Sequence, residues 1–157
     1  MKKWMMLSCM LLILSGCDNA ESVKTLAEPV PDQLLPAQSE GISLALIQDE
    51  FEGSPAVIPT IVRNNTDDPY EIGPFYHLEF YKQAQWYIIT YSDAVFLLDP
   101  HYRDGGIPLG AHSEMAQEFS VEDLGVTLYP RKYRLVKTIT QRSPYHEITV
   151  AVPFTVY

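Results

Sequence analysis

Cys17 is the residue whose setting most plainly asks for chemistry. Its thiol closes the run Leu14-Ser15-Gly16-Cys17, at the end of an uncharged apolar stretch from Trp4 to Leu14 that follows Lys2 and Lys3. Such a stretch is too short to cross a bilayer as a helix and has the dimensions of a secretory signal core. The small pair Ser15-Gly16 then admits a peptidase. The other reactive residue types point away from catalysis. Four histidines, His77, His101, His112 and His146, share no metal-binding spacing, and His146-Glu147 lacks a second histidine at position 150, where Val150 stands. That pair therefore does not build a zinc-protease helix. A nucleophile elbow, a Walker loop and the Rossmann glycine pattern are all absent. The acidic groups Asp49-Glu50-Glu52 and Asp67-Asp68 lack the alternating ligand register of a calcium loop, so they read as solvated turns. No metal or cofactor is expected.

Leu14-Ser15-Gly16-Cys17 closely resembles the lipobox of bacterial lipoproteins. The resemblance implies cleavage between Gly16 and Cys17, a diacylglycerol (palmitate-type chains) on the Cys17 sulfur, and Cys17 as the mature N-terminus. One acyl chain binds a membrane only marginally, at about 0.8 kcal/mol per buried methylene, whereas a two-chain glyceride gives a durable anchor. The implied location is the cell membrane, lipid-anchored, on its extracytoplasmic side. Asp18 resembles the inner-membrane retention signal of enteric lipoproteins.

Loss of residues 1–16 removes two of eleven basic residues and none of the twenty acidic ones. The remaining 141 residues keep a net charge of −11, enough chain for one domain. A surface of that sign repels phosphate backbones and anionic headgroups, which argues against nucleic-acid partners and against a peripheral polybasic membrane contact. Cys9 leaves with the signal, so once Cys17 is lipidated the fold has no disulfide, thiolate metal site or cysteine nucleophile.

Residues 17–40 form the lipidated N-terminus and a flexible tether, polar and carrying Pro29, Pro31 and Pro36 without a sustained period. Extended at about 3 Å per residue, such a segment would hold a domain on the order of 50 Å from the membrane. Residues 41–157 change texture to short apolar and aromatic runs broken by turn residues, which predicts an all-β sandwich or barrel. Strands are expected at Ile42–Ile47, Ala56–Arg63, Tyr76–Lys82, Trp86–Tyr91, Ala111–Val121, Lys132–Thr140 and His146–Val156. The last has the cleanest alternation, with Ile148, Val150, Val152, Phe154 and Val156 on one face. Pro59 lacks an amide donor and predicts an edge or a bulge in the second strand.

Leu128-Tyr129-Pro130-Arg131-Lys132-Tyr133-Arg134-Leu135-Val136-Lys137 resembles a family of bacterial immunoglobulin-like domains found in lipoproteins and surface proteins, mainly of Firmicutes. Val62-Arg63-Asn64-Asn65-Thr66, Leu78-Glu79 with Trp86-Tyr87, Pro108-Leu109-Gly110 and Val152-Pro153-Phe154 agree in order. Arg131 stands where the family usually has glycine. The resemblance implies an immunoglobulin-like antiparallel β-sandwich of about seven to eight strands. In such a fold Tyr133 matches the tyrosine corner, its hydroxyl bonded to backbone a few residues upstream, and Leu135 takes the place of the antibody-domain cysteine. Trp86 is the candidate core tryptophan, with Phe154 also in the core.

Ten Tyr, six Phe and two Trp exceed what one small core must hide. Tyr87, Tyr91, Tyr102, Tyr129 and Tyr145 are therefore expected to be partly exposed. In the long connection Ser92–Gly110, Val95 to Leu98 is expected to pack on the sandwich, while Tyr102 and Arg103 form a tip suited to a protein partner in the cell envelope. The functional expectation is a membrane-anchored, non-catalytic binding or structural module. A lipid-anchored protease inhibitor acting through sandwich loops is the alternative, and an enzyme the third.

Overall fold

A computed structural model of the chain describes residues 23–89 and 106–157. Ten strands appear there: β1 Gln38–Ser39, β2 Ile42–Leu46, β3 Glu50–Phe51, β4 Val57–Asn64, β5 Tyr70–Lys82, β6 Gln85–Ile88, β7 Ile107–Leu109, β8 Ser113–Ser120, β9 Arg131–Arg142 and β10 Tyr145–Val156. One sheet has the order β1-β2-β4-β8, and the other runs β3-β10-β9-β5-β6 with β7 paired to β5. The fold is an all-β, immunoglobulin-like sandwich. The strand count exceeds the expected seven to eight because β1, β3 and β7 are pairings of only two or three residues. The short β3 runs parallel to β10, a local exception in an otherwise antiparallel arrangement.

Alternation decides which side chains enter the core. Along β4 Ile58, Thr60, Val62 and Asn64 are buried, and along β10 Ile148, Val150, Val152, Phe154 and Val156 are buried. Ile58 and Val62 of the smaller sheet meet these β10 residues and Leu78, Phe80, Tyr133, Leu135 and Ile139 of the larger sheet in one cluster. Each fully buried side chain of this size contributes roughly 1.5–3 kcal/mol of transfer free energy. Pro59 lies in a strand with neighbours on both sides, but one residue past the last β2 pair, Leu46 with Thr60. Its carbonyl still accepts from Ile47 N at 2.9 Å, so the missing donor falls where the neighbouring strand has already ended.

β5 begins six residues earlier than the pattern suggested, at Tyr70 rather than Tyr76. A bulge hides that first part: Ile72 faces Ile139 and Tyr76 faces Lys137, so Gly73, Pro74 and Phe75 stand opposite Thr138 alone. Lys137, on the core side of β9 and 1 % exposed, fills the irregularity by donating from Nζ to the carbonyls of Gly73 and Phe75. Burial pulls its amine down to about 8.

From Val23 onward the N-terminal segment is not a free tether. Thr25 bridges Ile89 beyond β6, Leu26 N donates to Ile88 O at 2.9 Å, and Val30 N donates to Trp86 O at 3.0 Å. The chain then crosses the outer face of the larger sheet until Pro36 O accepts from Ala151 N of β10 at 2.9 Å. It turns into β1 and, through Glu40 and Gly41 at φ 47° and 82°, into β2. Two successive positive φ values make the two-residue hairpin turn that matches strand twist. A side chain at Gly41 would come within 2.6 Å of Thr66 Cγ2. The proline-bearing segment thus straps one sheet and joins the edge of the other, because its backbone donors and acceptors find sheet partners instead of water.

Candidate functional site

The strap covers a polar group on the outer face of the larger sheet. Glu79 of β5 and Arg134 of β9 are direct cross-strand partners, and Arg134 Nε donates to Glu79 Oε2 at 2.6 Å. Their side chains are 1 % and 4 % exposed. The second Glu79 oxygen lies 3.0 Å from His77 Nε2. Arg134 spends its other donors on the strap, Nη2 to Asp32 O at 2.8 Å and Nη1 to Gln33 O at 3.2 Å, and its guanidinium stands 4.7 Å over the Trp86 ring. A buried charge pair is tolerated when its remaining donors and lone pairs are satisfied, and here backbone carbonyls of the strap complete it.

Gln33 reads the edge strand as a backbone would. Its Oε1 accepts from Trp86 N at 2.8 Å, while its Nε2 donates to Trp86 O at 3.2 Å and to Val30 O at 2.6 Å. A side-chain amide carries one acceptor and a pair of donors, so it supplies the pairing that β6 lacks on that side. Val136 and Ala151, also on this outer face, are 1 % and 3 % exposed. Residues 133 to 137 of β9 are in consequence buried without a break, core on one side and strap on the other.

Trp86 is buried, at 9 % exposed, but does not belong to the core between the sheets. It pairs across the hairpin with Tyr81, and register places Tyr81, Glu79 and Arg134 on the outer face, opposite to Tyr133 and Leu135. The expected core tryptophan is thus a residue of the strap interface. Tyr133, Leu135 and Phe154 are in the core cluster. Tyr133 is fully buried, stacks on Phe154 with ring centroids 5.6 Å apart, and donates from its hydroxyl to Tyr129 O at 2.8 Å. Burial pushes that hydroxyl up to about 12, and the same cause raises Tyr76, whose hydroxyl donates to Ser120 O, to about 12.

The other expected positions within the described residues are dispersed. Gly16, Cys17, Tyr102 and Arg103 lie outside the described residues, as do Tyr91 and the run from Val95 to Leu98. Tyr145 is 71 % exposed, whereas Tyr87, expected to be partly exposed, is buried beneath the Lys82 ammonium, which stands 4.3 Å over its ring. His77, His112 and His146 each meet a different carboxylate, Glu79, Asp67 and Glu40. Among the described residues no three His, Cys, Asp or Glu side chains are grouped to hold a metal ion. A cleft lined by Glu71, Thr140, Arg142, Tyr145 and Glu147 contains the Arg142–Glu71 ion pair. Among the described residues the arrangement can clamp, cover and present surfaces.

The strap interface was missed at the sequence level, although Asp32-Gln33 before a leucine and Arg134 between two core positions were its only local traces. No curated protein matches the chain. A family model described as a bacterial Ig-like domain matches residues 38–155, beginning just where the strap becomes β1. The two-sheet architecture and a match over most of its length agree, and the chain belongs to the bacterial Ig-like domain family.

Proposed function

We propose that this protein is an extracytoplasmic lipoprotein in which a diacylglycerol on Cys17 holds a non-catalytic immunoglobulin-like module at the cell membrane, where it serves as a binding or structural element. The lipobox-like run Leu14 to Cys17 supports the anchor, and membership of the bacterial Ig-like family supports the module. The observation that carries the combination is the strap. Five residues separate Cys17 from Val23, where the described chain begins, so the anchor feeds a built-in element of the fold. At about 3.3–3.6 Å per residue the six steps from Cys17 to Val23 span at most roughly 20 Å, well short of a long flexible spacer. A module clamped this close to its anchor acts at the membrane surface.

Mass spectrometry of the N-terminal peptide from membrane-extracted protein tests the reading. The expected result is a chain beginning at diacylglyceryl-Cys17, with Cys17→Ser accumulating as precursor or released protein. An unmodified mature N-terminus in wild-type membranes would overturn it.

A further inference from the structure

β8 ends the smaller sheet. Among the described residues it pairs with β4 alone, whereas the strap covers the β6 edge and β10 donates to Pro36 and Asp49. Two bonds fix which of its peptide groups are left over. Ile47 N donates to Pro59 O, so the odd-numbered residues of β4 turn their peptide groups to β2 and the even-numbered ones to β8. Val121 N donates to Ala56 O, so the odd-numbered residues of β8 are the ones bonded to β4. The N–H and C=O of Glu114, Ala116 and Glu118 therefore point off the sheet in a row, with no backbone partner among the described residues. Next in the row, Ser120 O accepts from the Tyr76 hydroxyl at 2.5 Å, which closes the edge at that end. Along the open edge runs a groove of about 310 Å³. The consecutive residues Gln117 to Ser120 form one wall, and Ile72, Pro74 and Tyr76 of β5 with Ile107 of β7 form the other. Ile107 stands opposite the core residue Ile72 and is nevertheless 46 % exposed. An unpaired strand edge beside an apolar groove suits strand addition, in which main-chain bonds supply affinity and alternate side chains enter the groove.

We propose that β8 accepts an extended segment of a partner protein in which apolar residues alternate with lysine or arginine. The proposal rests on the binding-module half of the reading above. Side chains of the added strand that face the core side enter the groove among Ile72, Ile107 and Phe119. The intervening ones lie beside Glu114 and Glu118, both exposed on the outer face of β8. Glu114 is shared with Arg63, while Glu118 has no cationic partner among the described residues, and Asp123 adds a carboxylate at the groove. Charge thus selects the occupant. Two copies of β8 paired antiparallel about Ala116, the middle of the open row, would set Glu114 of each opposite Glu118 of the other, and like charges directly opposite are destabilising. A strand with basic residues at those places meets the same carboxylates with the favourable sign.

Three synthetic peptides test it against the mature chain, residues 17–157. They are Lys-Val-Lys-Val-Lys-Val-Lys, its block isomer Lys-Lys-Lys-Lys-Val-Val-Val, and Glu-Val-Glu-Val-Glu-Val-Glu. The alternating lysine peptide should bind at least about tenfold more tightly than either of the others. By NMR it should slow amide exchange at Glu114, Ala116 and Glu118 by at least about tenfold, and leave Met115 and Gln117, already bonded to β4, unchanged. Glu118→Lys, a change at an exposed position, should weaken the lysine peptide and strengthen the glutamate one. Equal binding of the two lysine peptides would reduce the contact to net charge, and slow exchange at the three amides without peptide would show the edge already closed. Either result overturns the proposal, as does an absence of binding at about 1 mM peptide. Each of these outcomes leaves the Cys17 anchor untouched, which the mass measurement decides separately.

Discussion

Arg134 and Glu79 stand opposite one another on β9 and β5 and share a 2.6 Å hydrogen-bonded ion pair on the sheet face away from the core, closed over by the carbonyls of Asp32 and Gln33. The pair is the joint between the immunoglobulin-like domain and the segment that precedes it. Removing one partner leaves the other charge buried.

Arg134→Met is expected to destabilise the protein by about 3–5 kcal/mol, the usual cost of breaking a buried pair from one side. The double variant Glu79→Gln/Arg134→Met should be less destabilised than the single one, because no uncompensated carboxylate remains. Urea unfolding of these two variants together with Glu79→Gln closes the cycle and gives the coupling. Amide exchange at Val30, whose N–H is bonded to Trp86 O, should rise in the single variant if the strap loosens with the pair.

Tyr133→Phe deletes the hydroxyl that donates to Tyr129 O while keeping the ring stacked on Phe154. The Tyr129 carbonyl would lose its donor, and a loss of about 1–3 kcal/mol is expected in chemical denaturation. A melt equal to that of the wild type would show that water replaces the hydroxyl at no cost.

Lys137 predicts a pH dependence. Its folded value of about 8 lies below the 10.5 of the unfolded chain. Between these values the unfolded state binds more protons, so this group makes stability rise with pH through that window and withdraws the contribution as pH falls through 8. The slope is at most about 1.4 kcal/mol per pH unit. Tyr76 and Tyr133, raised from 10.0 to about 12, act in the opposite sense above pH 10, so the clean window is pH 8 to 10. Wild type should gain about 2 kcal/mol over Lys137→Met across it. A difference independent of pH would mean that the amine titrates at its ordinary value.

The sequence by itself determined the class of fold and most of the strands, because alternation is a local property. Ile148, Val150, Val152, Phe154 and Val156 must share one face of any strand that contains them, and burying that face needs a second layer. The Leu128–Lys137 element and its tyrosine could be read for the same reason, since Tyr133 and its acceptor Tyr129 are four residues apart. What only the tertiary structure decided depends on partners far along the chain. The strap is held by bonds between residues 53 to 102 positions apart, from Gln33 to Trp86 and from Arg134 to Asp32 and Gln33, and nothing in a polar, proline-bearing segment announces carbonyls waiting for it. Trp86 went to the outer face because pairing with Tyr81 fixes its side by register, and a shift of one residue reverses every side chain. Lys137 is buried because a bulge in another strand leaves two carbonyls without strand partners, a demand that arises only once the sheet has formed.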